Sequence, residues 1–150
     1  MEPQHPISDE TVDQSIVRTT AFFTVLLLLA GLFSNLKWIA LLLCFDFFIR
    51  GFTRLPFSPL RRAARAQVKI LRRTPRPIDA APKKFAARLG FLVSAVIAIL
   101  AFTGLYQAAY VVTQLFVLLA GMEAFLDICL GCRIYTLLLK RKTKRPSDAE

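Results

Sequence analysis

Four long apolar blocks, parted either by very short turns or by a stretch dense in Lys and Arg, limit this chain to few folds: "TTAFFTVLLLLAGLF" (19–33), "WIALLLCFDFFI" (38–49), "FAARLGFLVSAVIAILAFTGLY" (85–106) and "AAYVVTQLFVLLAGMEAFLDICLG" (108–131). Segments this apolar belong in lipid, where every backbone N–H and C=O needs an internal partner, and an α-helix supplies one for each. The expected fold class is therefore all-α: a polytopic membrane protein of two helical hairpins, four transmembrane helices in all, joined by a basic connector with an amphipathic interfacial helix. Composition supports the environment, since 55% of the 150 residues are hydrophobic and 13 are Phe, too apolar for an ordinary soluble domain.

Charge sets the orientation. Lys and Arg number 20 against 10 Asp and Glu, a combination with hydrophobicity that points to anionic lipid or to nucleic acid as partner. The basic residues lie between and after the apolar blocks, which favours a bilayer with anionic headgroups and no nucleic acid. Twelve Lys or Arg fall between Arg50 and Arg88 and six more from Arg133 onward, whereas the two tight turns hold only Lys37. The positive-inside rule then places the connector and both termini in the cytoplasm, as an even number of crossings allows, with the plasma (inner) membrane the expected location. The start, "MEPQHPISDETVDQSIV", is acidic and polar with no cleavage site after the first apolar run, so no signal removal is expected.

The chain reads as one integral-membrane domain, 1–150, with helices at about 11–33, 36–50, 85–106 and 108–132, an interfacial helix at about 58–73 and a basic polar tail at 140–150. Thr11 with Gln14 fits a capping box for the first helix. Its fully apolar half, 19–33, spans only about 22 Å against roughly 30 Å of hydrocarbon, so the first hairpin is short for a full crossing. Ser58 and Pro59 suit the N-cap and first position of the interfacial helix. There Leu60, Ala64, Val68 and Leu71 form one side and Arg61, Arg65, Lys69 and Arg72 a basic row for anionic lipid. Gly90 and Ser94 make a small-residue step for close helix packing.

Several of these pieces, "VDQSIVR" (12–18), "FDFFIRGF" (45–52), "FSPLRRAAR" (57–65), "IDAAPKKFAARLG" (78–90) and "CLGCRIY" (129–135), agree in order and spacing with one family. The chain resembles the bacterial integral-membrane proteins of domain-of-unknown-function family 4395. The resemblance implies a membrane fold of this plan and a recurrent pair of cysteines three apart. It implies no activity.

Two groups of residues carry chemistry. Asp46, Arg50, Glu123 and Asp127 lie in or at the ends of apolar blocks, where an unpaired charge costs about 2.5–3.5 kcal/mol on insertion scales. Asp46 with Arg50, and Glu123 with Asp127, are spaced i,i+4, and Arg50 is the expected shared cation of an ion-pair clasp or a proton relay. The second group is Cys129 and Cys132, a candidate thiol pair expected at the C-terminal end of the fourth helix, where the helix dipole opposes thiolate and Arg133 favours it. Gly131 gives the local freedom that a disulfide would need. Cys44, inside an apolar block, reads as a small buried hydrophobe. A tetrahedral metal site wants four ligands and His5 is remote, so neither a metal nor a cofactor is expected.

Three functions compete on this sequence. One is a membrane accessory of cytoplasmic thiol-redox or sulfur metabolism, with a redox or sulfur-handling protein as partner and thiol oxidoreductase or sulfur transfer as its chemistry. Another is a non-enzymatic scaffold on anionic lipid, and the last is a small carrier or channel using the buried acids. Hydrolytic motifs are absent from the sequence.

Overall fold

The computed structural model describes residues 11–53, 58–72, 74 and 76–144, without side chains at 11, 79 and 142–144. The first ten residues, including His5, and the tail residues 145–150 lie outside the described residues. Six helices dominate: α1 (Gln14–Phe33), α2 (Leu36–Phe52), α3 (Pro59–Ile70), α4 (Ala80–Phe102), α5 (Tyr106–Leu126) and α6 (Leu130–Lys144). Two short strands, β1 (Thr11–Asp13) and β2 (Pro77–Asp79), pair antiparallel ahead of α1 and α4.

The six helices bear out the all-α expectation; the short strand pair adds to them and corrects the capping box at Thr11. The cap of α1 is Asp13, whose carboxylate accepts from Ser15 N–H at 2.9 Å and from Arg76 N–H at 3.2 Å, while Gln14 N–H donates to Arg76 O at 2.9 Å. One carboxylate thus satisfies donors on both sides of the pair, and these long-range bonds prevail over a local box. The third long helix likewise starts five residues earlier than its apolar block. Pro82 falls in its first turn, where the missing N–H has no intrahelical acceptor to lose.

The predicted fourth helix, 108–132, is two helices. At Asp127 the backbone turns left-handed (φ 58°), and the N–H groups of Asp127 and Ile128 both return to Met122 O, the latter at 3.2 Å. Arg18, from α1, donates to Ala124 O through Nε and Nη2 at 3.4 and 3.3 Å, and Gln14 Nε2 donates to the Asp127 carboxylate. The last carbonyls of α5 therefore find partners outside a further helical turn, which ends the helix there. The chain then restarts as α6.

The hairpins interlock. Helix α2 packs chiefly on α4 and α1 chiefly on α5, with α3 laid on α1 and α6 on α4. Gly90 makes the α2–α4 contact possible, because a Cβ there would sit 2.7 Å from the Phe47 ring; Ser94, one turn on, is fully buried. At one end the hairpin tips meet, with Trp38 edge-on to Phe102 and Lys37 Nζ 5.4 Å from the centre of the Tyr106 ring. The strand pair, α3 and α6 gather at the other end.

Among the described residues, three helices are long and apolar enough to cross a membrane: α1, α4 and α5, with mean hydropathies of 2.0, 2.2 and 1.7. Helix α2 has 17 residues, or about 26 Å at the helical rise. Large apolar side chains face outward from all four, among them Phe33, Phe45, Ile99 and Leu118.

Candidate functional site

Two junctions at the basic end, and a cavity between them, hold the chemistry. At the first, α2 hands over to α3. Asp46 is fully buried, and its Oδ1 accepts from the Ser58 hydroxyl and from Leu60 N–H at 3.1 Å. Ser58 Oγ in turn accepts from Arg61 N–H at 3.3 Å, so the predicted N-cap is in place and the carboxylate backs it. Arg50 Nε lies 2.8 Å from Asp46 Oδ2, an ion pair at poor hydrogen-bonding angle, and Nη2 is buried without an acceptor among the described residues. The guanidinium stacks over Phe47, 4.2 Å from the ring centre.

The spacing of Asp46 and Arg50 thus reads correctly as a pair, but Arg50 is not the shared cation. Lys83, on α4, holds Glu123 at 2.8 Å across to α5. Asp127 goes to Gln14, not to its i−4 neighbour Glu123. Lys83, Gln14 and Arg18 escaped the sequence reading because their partners are at least forty residues away. The only signal for Lys83 was its place beside the apolar block that α4 extends.

The second junction joins α5 to α6, and it reverses the expected setting of the thiols. Cys129 immediately precedes the first turn of α6: its carbonyl accepts from Arg133 N–H at 3.1 Å, and its Sγ accepts from Cys132 N–H at 3.3 Å. It therefore caps a helix N-terminus instead of closing a C-terminus, and the dipole now favours thiolate. The Cys132 thiol also hydrogen-bonds Cys129. That contact holds the Cys129 thiol below its usual range, while the same bond and burial push Cys132 well above it. Both cysteines are free and half-buried. Gly131 fixes their position: a Cβ there would lie 2.8 Å from Ala86 Cβ, so its absence lets α6 touch α4.

Between the junctions lies a cavity of about 590 Å³, bounded by α1 to α6. Arg50, Arg61, Arg65, Lys83 and Lys84 line it, with Glu123 and Cys129. Of the expected basic row on α3, Arg61 and Arg65 face this cavity, whereas Lys69 and Arg72 lie exposed and line no part of it. Leu60, Ala64 and Val68 are buried as expected; Leu71 lies past the helix end and is exposed. Burial and the neighbouring charges of Arg65 and Arg50 lower the Arg61 guanidinium from its ordinary value. Among the described residues, no group of three or more His, Cys, Asp or Glu is arranged to hold a metal ion.

No curated protein and no solved structure matches this chain. One family does: residues 12–140 match the family described as "Domain of unknown function (DUF4395)". That match covers all but the first residue of the strand pair, with both junctions and the residues that line the cavity, and the chain belongs to this family.

Proposed function

We propose that the chain is a four-crossing protein of the bacterial plasma membrane whose Cys129–Cys132 pair performs thiol–disulfide exchange at the cytoplasmic surface. The observation that carries this reading is the place of Cys129: it caps the N-terminus of α6, with a second thiol against its sulfur and Lys83 nearby. For the crossings, the support is the outward apolar surface of α2 (Phe45 is 61% exposed), which needs lipid as much as its three longer neighbours do. For orientation, it is the gathering of α3, α6 and the strand pair at one end, with Lys37 the one cation at the hairpin tips. Lys69 and Arg72, exposed at that end, are suited to anionic headgroups.

The exchange proceeds in two steps. Cys129 thiolate attacks one sulfur of a disulfide substrate, forming a mixed disulfide and expelling the other sulfur as a thiolate, which takes a proton from water. Cys132 loses its proton to the hydroxide left by that step and attacks Cys129 Sγ; the Cys129–Cys132 disulfide forms and the substrate's second sulfur leaves as a thiolate, which takes a proton from water. The substrate gains two electrons from the pair, and a cytoplasmic dithiol protein returns them. Because Cys129 stands ahead of α6, its sulfur is not held at the separation of two i,i+3 residues within a helix, which is greater than a disulfide allows.

Trapping tests it. In a Cys132→Ser chain, a mixed disulfide on Cys129 should accumulate in membranes from oxidant-treated cells, and in a Cys129→Ser chain it should not. Equal trapping at both cysteines, or none at Cys129, would remove the reading. Labelling of Cys129 by an impermeant reagent from outside intact cells would remove the orientation.

A further inference from the structure

The cavity between the junctions is divided along its length. At its outer end are five cations, Arg50, Arg61, Arg65, Lys83 and Lys84, and a single acid, Glu123. Toward the middle of the bundle the walls are Thr20, Val93, Phe116 and Leu119. The Thr20 hydroxyl is spent on Ile16 O at 2.6 Å, so that inner stretch offers no donor from it. From Ala80 to Val93 the lined part of α4 runs about 20 Å at the helical rise.

We propose that this cavity binds an anionic amphiphile, its phosphate or carboxylate head among Arg50, Arg61 and Arg65 and its single apolar tail along α4 and α5. Three observations carry the assignment. The first is charge: Glu123 answers Lys83, and among the described residues no carboxylate answers Arg61 or Arg65. The second is an orphan donor, since Arg50 Nη2 is buried beside the cavity with no acceptor, and a buried donor left unpaired costs about 1–3 kcal/mol. An anion seated there gives it a partner. The third is size and lining: about 590 Å³ lies within the roughly 300–1,000 Å³ typical of small-ligand pockets, and an apolar inner wall selects a tail over a bare ion. A two-chain phospholipid would have to leave one chain outside. Burial first, and then the like charges of Arg65 and Arg50, lower the Arg61 guanidinium, and a bound anion offsets both.

The assignment goes beyond the thiol reading and stands without it, although Cys129 shares the lining and serves as reporter. The test uses the full chain in phosphatidylcholine nanodiscs with three probes: dodecyl phosphate, dodecyl maltoside and inorganic phosphate. Dodecyl phosphate should slow alkylation of Cys129 by iodoacetamide at least tenfold, saturably, while the other two leave the rate within twofold. An Arg61→Gln, Arg65→Gln chain should need at least tenfold more dodecyl phosphate for the same protection. Radiolabelled dodecyl phosphate should still bind a Cys129→Ser, Cys132→Ser chain at one per protein, above empty nanodiscs. Equal protection by dodecyl maltoside overturns the charge requirement, and protection by inorganic phosphate alone replaces the amphiphile with a soluble anion. Loss of saturable binding in the double-serine chain overturns the site itself. None of these results bears on whether Cys129 traps a mixed disulfide, so the two readings fail separately.

Discussion

At the α2–α3 junction a hydroxyl closes the first turn of a helix; at the α5–α6 junction a thiol takes the same position. Ser58 is buried and backed by the carboxylate of Asp46, with every lone pair of Oδ1 directed at a donor on α3. Cys129 is half-exposed, backed only by the Cys132 thiol and N–H, and opens onto the cavity. At the first junction the Ser58 hydroxyl and Asp46 Oδ1 are spent on holding two helices together. The other caps its helix with a weaker acceptor that remains able to react. The comparison separates a clasp from a site although both are built on the same helix-start geometry.

The largest effect should come from the clasp. Asp46→Ala removes the acceptor of Ser58 and Leu60 and strands the buried Arg50 guanidinium, and breaking a buried pair from one side costs about 3–5 kcal/mol. We expect that loss in the unfolding free energy of the chain in micelles; a change below about 1 kcal/mol would mean that Asp46 does not hold the junction. Gly131→Ala comes next. Its Cβ meets Ala86 at 2.8 Å, with the Ala86 backbone Cα at 2.9 Å, so α6 must move off α4. The cost should be about 1–3 kcal/mol, with the alkylation rates of Cys129 and Cys132 drawn together as their contact loosens.

The caps themselves sharpen the contrast further. Ser58→Ala should cost about 1–2 kcal/mol, Cys129→Ala about 0.5 kcal/mol, and Cys129→Ser less than that, because the hydroxyl restores the cap while abolishing alkylation. Equal costs at Ser58 and Cys129 would make both junctions structural. The smallest effect is in pH. The alkylating species is thiolate, so the rate at Cys129 should rise with pH and level off below the range of an ordinary thiol, whereas Cys132 should react only above it. The stability that goes with the lowered Cys129 value is absent below its folded pKa, grows as pH climbs through it, and is complete above the unfolded value. A Cys129 profile matching that of free cysteine would remove the special setting of this sulfur.

Much of the frame could be read from residue order. The apolar blocks locate α1, α2, α4 and α5, and Ser58–Pro59 locates the start of α3, because hydrophobic runs and caps act over a few residues. Asp46 and Arg50 were legible as a pair for the same reason: i,i+4 on a helix is a local distance. The break at Asp127 was not legible. The block "LFVLLAGMEAFLDICLG" stays apolar through the turn, with no proline to end it, and what ends the helix is Arg18 and Gln14 arriving from α1. The pairing of Lys83 with Glu123 and of β1 with β2 was hidden likewise, since each joins segments that only packing brings together.

The amino-acid sequence by itself determined that this chain is a set of apolar helices with its cations gathered into the connector and the tail, since both follow from where hydrophobic and charged residues stand along the chain. Tertiary structure decided which carboxylate meets which cation, that an apolar run stops at Asp127, and that Cys129 therefore begins a helix instead of ending one. The reason is physical: a helix end is fixed by the partners its last carbonyls find, and those partners here lie about a hundred residues away on another helix.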